Sequence, residues 1–166
     1  QNEEHLSEDG AECLKVISTV IADLYWVAEQ KQIVLNVEGL EAPDASELKA
    51  AVSEADLSAV VRNLVHNAVN YTQQNGSVTV RVESGDDKVR ISVADTGPGI
   101  APAERERVFD PFYRILGNDA PGTGLGLAIC RAIVDKAAGS IKLDWAEPSK
   151  QKGLLVVVEL ARSRTV

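Results

Sequence analysis

Two glycine-rich segments constrain this chain more than any other feature. The first, Asp95–Ile100, ends a run of alternating apolar residues, and the second, Gly122–Leu127, opens a helical pattern. Glycines let main-chain N–H groups approach a ligand or a phosphate, and a carboxylate at a strand end can accept a hydrogen bond from the amino group of a base. Either segment alone is more often a tight turn or a helix start. Together they predict a nucleotide site.

A stripe of asparagines supports this prediction. Asn63, Asn67 and Asn70 lie at i, i+4 and i+7 of a predicted helix, so their amides share one face, away from its apolar stripe. Each asparagine costs about 0.5 kcal/mol relative to alanine in a helix interior, and a solvated face normally carries lysine, glutamate, arginine or glutamine. The stripe therefore favours amides that face a ligand over a solvent-exposed surface. An amide oxygen is also a ligand suited to Mg²⁺.

The segment Phe109–Arg114 is an aromatic cluster that ends in a cation, within a long irregular stretch. Such stretches inside a compact domain tend to be functional covers or disordered. Aromatic residues can anchor the base of a cover while Arg114 reaches phosphate charge, and the alternative is a simple hydrophobic pin with a solvated arginine. Beside the asparagine stripe, we expect Tyr71 to belong to the site and His66 to be a partly buried imidazole whose hydrogen bonds are satisfied.

Composition and charge exclude several other classes of function. The 166 residues suffice for one domain with a core, and the net charge of -8 argues against binding to nucleic acid or to an anionic membrane. No run approaches the roughly 18 apolar residues of a membrane span. Cys13 and Cys130 are expected to be reduced, packed thiols of a cytosolic protein. The chain has no methionine, so we expect it to be a piece of a longer protein.

Residue periodicity predicts an α+β fold. The sheet is expected to be mixed and mostly antiparallel, with helices on one face, which makes a two-layer sandwich. The predicted helices are Leu14–Glu29, a long helix capped by Ser53 with Asp56 and ending near Thr72, a short Ala103–Val108, and Leu125–Ala138 stopped by Gly139. The predicted strands are Lys31–Val37, Val78–Val82, Val89–Val93, Ile141–Trp145 and Leu154–Val158, with a loop at Gly39–Glu47 and a hairpin turn at Ser84–Asp87.

These motifs, in this order, resemble the catalytic ATP-binding domain of bacterial sensor histidine kinases, which has the Bergerat fold shared with gyrase, Hsp90 and MutL ATPases. Asn63–Thr72 is similar to the N box of that family, Asp95–Ile100 to its G1 box, Phe109–Arg114 to its F box and Gly122–Leu127 to its G2 box. The similarity extends roughly from Ile33 to Leu160. Four ordered motifs make it specific.

The resemblance implies a role for each matching residue. Asp95 would bind the adenine amino group, Asn67 would hold Mg²⁺, and Asn63 and Arg114 would lie near the phosphates, so that Asn63, Asn67 and Arg114 form the catalytic set. Gly122, Gly124 and Gly126 would form the hinge of the lid. The residues implied in binding ATP are Asn63, Asn67, Asn70, Tyr71, Asp95, Gly97, Gly99, Ile100, Phe112, Tyr113, Arg114, Gly122, Thr123, Gly124, Leu125, Gly126 and Leu127.

The resemblance also implies an organisation and a set of partners. Residues 1–30 would be a lead-in and an N-terminal helix, 31–162 the catalytic domain with a lid at about 101–124, and 163–166 a tail. The partners would be an upstream dimerisation and histidine phosphoacceptor domain and a response regulator, without nucleic acid, and the chain itself would be monomeric. It would be a cytoplasmic domain of a protein anchored in the bacterial inner membrane. His5 lies in no acceptor-like motif, so the acceptor histidine is expected outside this chain.

Asn63 discriminates between the reactions found within this fold. ATPase relatives have a glutamate four residues before the Mg²⁺-binding asparagine, where it activates water, whereas an amide has no useful basicity. Hydrolysis should therefore be slow, which disfavours a gyrase-type ATPase. Three departures leave open a catalytically weak nucleotide-binding module whose lid signals to a partner. Asn70 replaces the usual lysine or arginine, Pro121 replaces a lid glycine, and Gly117–Ala120 lacks a second arginine.

Overall fold

A computed structural model of the chain describes residues 10–39, 47–115 and 124–163. The last three residues of the predicted tail, most of the predicted loop Gly39–Glu47 and the lid residues 116–123, including Pro121, lie outside the described residues. The helices and strands are β1 Ala11–Glu12, α1 Cys13–Gln30, β2 Val34–Glu38, β3 Lys49–Ala50, α2 Glu54–Tyr71, β4 Ser77–Ser84, β5 Lys88–Asp95, α3 Gly126–Lys136, β6 Ser140–Glu147 and β7 Lys152–Ala161. Across these residues we find no helix with the length and apolar character needed to cross a membrane.

The main sheet has five strands in the order β2-β4-β5-β7-β6. Only β2 and β4 run parallel, and the other three pairs are antiparallel, which confirms a mixed, mostly antiparallel sheet. Side chains alternate along β4 and β5 between a buried face and a more exposed one. A second, two-stranded sheet of β1 and β3 was not predicted, because strands of two residues are too short to produce a periodic pattern.

The three long helices cover one face of this sheet, as predicted. Their apolar stripes and the inward residues of the strands form one buried core. The opposite face carries charges paired across neighbouring strands, with Arg81 donating to Glu38 and Arg90 to Glu159. That face is solvated, so the sheet presents only its helix-covered face and its ends to a buried site.

Both ends of α2, the helix that carries the asparagines, are held by side chains. Ser53 Oγ accepts a hydrogen bond from the Asp56 N–H at 3.1 Å, as the sequence predicted for its first turn. At the other end Lys31 Nζ donates to the carbonyls of Val69 at 2.9 Å and Asn70 at 2.7 Å. Lys31 was predicted to begin a strand, and that boundary is wrong. The strand begins at Val34, because the turn after α1 places Lys31 against the end of α2 instead.

The predicted helix Ala103–Val108 is also wrong. Two separate 3₁₀ turns, Pro102–Glu104 and Arg107–Phe109, occupy this segment. Six residues are too few for an isolated α-helix to be stable, and no amphipathic stripe compensates here. Arg105, between the two turns, instead directs its Nε to the carbonyl of Ile100 at 3.1 Å.

The end of α3 differs from the prediction in one residue. Ala138, not Gly139, has the left-handed conformation, with φ 55°. The N–H of Gly139 donates to Val134 and that of Ala138 to Asp135, which is a Schellman arrangement. Gly139 is required for a different reason, since a Cβ there would lie 2.4 Å from the carbonyl oxygen of Glu159 on β7.

Replacing Ala138 by glycine should stabilise the domain. A left-handed alanine costs roughly 1–2 kcal/mol, and the added entropy of unfolded glycine removes part of that gain, which leaves about 0.5–1 kcal/mol. Denaturant unfolding of Ala138→Gly should show a higher midpoint with an unchanged slope. The matched control is Ala132→Gly, an exposed position inside α3, where the same change should cost about 1 kcal/mol. Equal effects at the two positions would contradict this account.

Candidate functional site

A cavity of about 240 Å³ lies between the asparagine face of α2, the segment that follows β5 and the beginning of α3. Twelve of the seventeen residues expected to bind nucleotide line it. These are Asn63, Asn67, Asn70, Tyr71, Asp95, Gly99, Ile100, Tyr113, Arg114, Gly124, Gly126 and Leu127. Residues up to 64 positions apart in the sequence, from Asn63 to Leu127, therefore line one space.

Asp95 is the most buried polar residue among those described as lining this cavity, with 5% of its surface exposed. Its Oδ1 accepts two main-chain hydrogen bonds, from the N–H of Gly97 at 2.9 Å and of Leu154 at 3.0 Å. Burial raises the pKa of Asp95 above its ordinary value, and the two N–H donors oppose that rise. Because both bonds reach the same oxygen, Oδ2 remains available to accept a hydrogen bond from a ligand.

The two glycines of the segment after β5 have different roles. Gly99 lines the cavity with φ +75°, and a Cβ there would lie 2.5 Å from the ring of Trp145. Gly97 does not line the cavity, although it was expected to contact nucleotide. It donates to Asp95 and accepts from the N–H of Gly153 at 2.8 Å, so it supports the carboxylate from behind.

The three asparagine amides all face the cavity. Asn63 Nδ2 donates to the carbonyl of Ala59 at 2.8 Å, which leaves its Oδ1 for other contacts. Asn70 Nδ2 lies 3.3 Å from Nδ1 of His66. His66 itself is exposed and lines the cavity, so the expectation that it would be partly buried is wrong, because the outward face of α2 here borders the cavity rather than the core.

The beginning of α3 lies directly against two of these amides. A Cβ on Gly126 would be 3.1 Å from Asn67 Nδ2 and 3.4 Å from Asn63 Oδ1, so any larger residue here would displace these amides by a few tenths of an ångström. The unpaired N–H groups of a helix N-terminus favour an anion, and here they share the cavity with amide side chains. Leu125, also expected to contact nucleotide, caps α3 and does not line the cavity.

The donor set fits a Mg²⁺–phosphate complex rather than a metal held by protein alone. Among the described residues there is no cluster of three or more histidine, cysteine or acidic side chains that could hold a metal ion. Mg²⁺ in proteins often uses one or two side-chain oxygens and takes water and phosphate oxygens for the rest. Asn67, whose amide lies against Gly126, can supply one such oxygen.

The base of the predicted lid is held by one contact with α3 and by one contact within the lid segment itself. Phe109 is buried beneath Arg131, whose guanidinium lies 3.9 Å from the ring centroid. Tyr113 lines the cavity and donates its hydroxyl to Glu104, and that carboxylate raises the pKa of Tyr113. Phe112 departs from expectation, since it is 71% exposed with φ 66° and does not line the cavity.

Charge on the cavity wall is sparse. Arg114 is the one lysine or arginine among the described lining residues, and Asp95 is the one carboxylate. Gly122 and Thr123, both predicted to bind nucleotide, lie outside the described residues.

The sequence missed the apolar floor of the cavity. Val93, Val108, Ile115, Leu154 and Val156 line it, and the strand residues among them had been interpreted only as core. Leu154 matters most, because its N–H is the second donor to Asp95 although the two residues are 59 positions apart. A main-chain donor is compatible with any side chain except proline, so no sequence motif could have indicated it.

Comparison with known proteins agrees with this geometry. Residues 52–164 match the family described as histidine kinase-, DNA gyrase B- and HSP90-like ATPase. The sensor histidine kinase RppB of Synechocystis is 32% identical over 161 residues, which cover 95% of this chain and 34% of that protein. The chain therefore spans about a third of this relative.

Solved structures of kinases have the same fold. A mycobacterial sensor histidine kinase, MprB, superposes with a TM-score of 0.76 at 27% identity, covering 92% of this chain and 95% of that one. The histidine kinase ThkA, in complex with the response regulator protein TrrA, superposes with a TM-score of 0.72 at 28% identity, covering 89% and 40%. The chain belongs to the histidine kinase-, DNA gyrase B- and HSP90-like ATPase family, as an ATP-binding catalytic domain of the sensor histidine kinase type.

Proposed function

We propose that this domain binds Mg²⁺-ATP in the cavity and transfers the γ-phosphate to a histidine on an upstream dimerisation and phosphoacceptor domain of the same protein. A response regulator would receive the phosphoryl group next, and the parent protein would be anchored in the inner membrane with this domain in the cytoplasm. The catalytic unit is residues 31–162. The observation that carries the proposal is the buried Asp95 in a cavity whose other walls include three amides and a helix N-terminus.

The two ends of the cavity suit the two ends of ATP. Asp95 Oδ2 can accept a hydrogen bond from the amino group of adenine. The apolar floor contributed by the sheet suits the flat base. The amide of Asn63, the N-terminal N–H groups of α3 and the cation of Arg114 supply donors for phosphate oxygens. Mg²⁺ bound at Asn67 would neutralise phosphate charge.

Transfer rather than hydrolysis follows from what these walls lack. Among the described lining residues the single carboxylate, Asp95, is buried at the base end and held by two main-chain donors. Asn63 directs an amide nitrogen to Ala59, and an amide cannot remove a proton from water. Phosphoryl transfer depends mainly on positioning and charge neutralisation, which amides and one arginine can provide.

The direct test supplies the acceptor. The domain is incubated with Mg²⁺-ATP labelled in the γ-phosphate, with and without the segment of the parent protein that precedes it. We expect acid-labile, base-stable phosphate on that segment and little free phosphate from the domain alone. ATP binding without transfer would support the weak nucleotide-binding module instead, and rapid release of phosphate would support a hydrolytic ATPase.

Asn67→Ala should separate metal-dependent from metal-independent binding. Because Asn67 is the amide proposed for Mg²⁺, its loss should weaken ATP binding in Mg²⁺ by about 10-fold and leave binding in EDTA nearly unchanged. Calorimetric titration of ATP in the two buffers measures this. The control is Asn36→Ala, an exposed asparagine on β2 outside the cavity, which should bind as the wild type does. Equal losses in both buffers for Asn67→Ala would contradict the metal assignment.

A further inference from the structure

We propose that Arg105 and Trp145 are positioning residues that hold the segment Asp95–Ile100 in its binding form and thereby determine how well the site distinguishes purine bases. Neither residue lines the cavity. The inference rests on the proposed function, since it concerns how the same site recognises the base of ATP. We call the two side chains together the Arg105–Trp145 clamp.

Arg105 is tied to its surroundings by three contacts. Its Nε donates to the carbonyl of Ile100 at 3.1 Å, its guanidinium carbon lies 5.2 Å from the ring centroid of Trp145, and its Nη1 lies 3.8 Å from Asp144 Oδ1. Its Nη2 is buried and has no hydrogen-bond partner among the described residues. A buried donor without a partner is destabilising and offsets part of what the other three contacts contribute. Those contacts join Arg105 to Ile100 on one side and to Asp144 and Trp145 of β6 on the other, so Arg105 links the segment Asp95–Ile100 to β6.

Trp145 contacts the same segment from the other side. Its ring packs so closely on Gly99 that a Cβ there would lie 2.5 Å from the ring. Trp145 pairs across the β6–β7 hairpin with Leu154, whose N–H donates to Asp95 Oδ1. Gly153, next to Leu154, donates to the carbonyl of Gly97. The hairpin therefore fixes Asp95, Gly97 and Gly99, and Arg105 fixes Ile100.

These contacts act on the base end of the cavity and not on the phosphate end. The hydrogen bond, ion pair and ring contact described for Arg105 go to Ile100, Asp144 and Trp145, and none of them goes to an asparagine of α2 or to α3. Loosening the clamp should let the Asp95 carboxylate vary in position while the phosphate contacts persist. Adenine would then lose its advantage over a base without the amino group, and general affinity for triphosphate would change less.

The test compares ATP with inosine triphosphate, in which a carbonyl oxygen replaces the adenine amino group. Affinities of both nucleotides are measured by calorimetry for the wild type, Arg105→Met and Arg131→Met. The wild type should prefer ATP by roughly 10- to 100-fold, the range of a hydrogen bond to a charged group. Arg105→Met should reduce that preference at least threefold. Arg131 is a matched control, because it also stacks on a ring and pairs with a carboxylate, Glu106, and its loss should leave the preference unchanged.

A second experiment measures local opening of the segment Asp95–Ile100 by hydrogen exchange. Hydrogen exchange at the amides of Gly97 and Leu154, the two donors to Asp95, should accelerate in Arg105→Met while amides of the central strand β5 stay protected. Arg105→Lys retains a donor for the Ile100 carbonyl and should recover at least half of the ATP preference. If Arg105→Met does not fold, Arg105→Lys and Trp145→Phe test the clamp through the same ratio of ATP to inosine triphosphate affinity. Each should reduce that ratio measurably but by less than threefold, and an unchanged ratio in both would overturn the inference.

The outcomes separate this inference from the function on which it rests. A wild-type chain that does not bind ATP would overturn the proposed function and the inference together. A wild type that prefers ATP, beside a folded Arg105→Met with the same preference and unchanged exchange at Gly97 and Leu154, would overturn the inference alone. A reduced preference in Arg131→Met equal to that in Arg105→Met would also overturn it, because the effect would then not be specific to the clamp.

Discussion

Asp95→Asn is expected to abolish useful ATP binding while leaving the domain folded. The proposed contact with adenine depends on Oδ2, since Oδ1 already accepts from Gly97 and Leu154. In the variant an amide NH₂ would replace Oδ2 and face the amino group of adenine, donor against donor. Loss of a hydrogen bond to a charged group costs about 1.5–3 kcal/mol, and the opposed donors add to this, so affinity should fall by roughly 100-fold or more.

The same substitution should not destabilise the fold at neutral pH. Burial raises the folded-state pKa of Asp95 above its unfolded value, so ionisation of this group favours the unfolded state. Its contribution to stability is greatest below the unfolded pKa and is lost as the pH rises through the folded pKa. An asparagine does not ionise, and its Oδ1 can still accept both main-chain donors. The variant should therefore be at least as stable as the wild type at pH 7, with a smaller decline of stability between acidic and neutral pH.

Two measurements on the same samples check this prediction. Calorimetric titration gives the ATP affinity, and denaturant unfolding at several pH values gives the free energy of unfolding. Asp135→Asn, at an exposed position of α3 outside the cavity, is the control and should keep both the affinity and the pH profile of the wild type. Unimpaired ATP binding by Asp95→Asn would mean that the buried carboxylate has only a structural role.

The sequence predicted those parts of the fold that repeat a pattern. The asparagines share a helical face because i, i+4 and i+7 do so in any helix, and Val78, Val80 and Val82 are buried because strand side chains alternate. Boundaries set by single contacts were missed. Lys31 donates to two carbonyls at the end of α2 and lies outside the strand that it was predicted to begin. Ala138 has the left-handed conformation that was expected of glycine.

The site shows the same division. Asp95 and the asparagines could be predicted, because a side chain performs the role and its chemistry is visible in the sequence. Leu154 could not be, because its role lies in a main-chain N–H that register alone brings to Asp95. Phe112 is the opposite case. Its aromatic side chain predicted a place in the cavity, but the residue has φ 66° and its side chain is exposed outside the cavity.

Gly153→Ala is expected to have the second large effect, although Gly153 does not line the cavity. Its φ is +72°, and a Cβ there would lie 2.3 Å from the carbonyl oxygen of Asp95 and 2.8 Å from the Cβ of Ala146. A left-handed alanine costs roughly 1–2 kcal/mol and overpacking typically another 1–3 kcal/mol, so the variant should lose about 2–5 kcal/mol. That is a large fraction of the 5–15 kcal/mol by which domains are usually stable.

ATP binding should weaken in the fraction of Gly153→Ala that remains folded. The new methyl group can be accommodated only if β7 moves away from Asp95, and this movement lengthens the hydrogen bonds from Leu154 to Asp95 and from Gly153 to Gly97. The carboxylate then loses one of the two donors that fix Oδ1, and Gly97, the other donor, loses its own contact with β7. The proposed phosphate contacts are made by α2 and α3 and not by β7, so inosine triphosphate should lose less affinity than ATP.

Thermal unfolding and nucleotide titration of Gly153→Ala test both halves of this prediction. The melting temperature should fall by roughly 5–15 °C, given about 2–4 °C per kcal/mol for a domain of this size. Gly85→Ala is the control, because its φ is not in the left-handed range and the nearest atom to a new Cβ, the Lys88 carbonyl oxygen, is 3.7 Å away. It should change stability by less than about 0.5 kcal/mol. If Gly153→Ala has the same melting temperature as the control and binds ATP with wild-type affinity, then the contact between β7 and Asp95 does not determine the geometry of the base site.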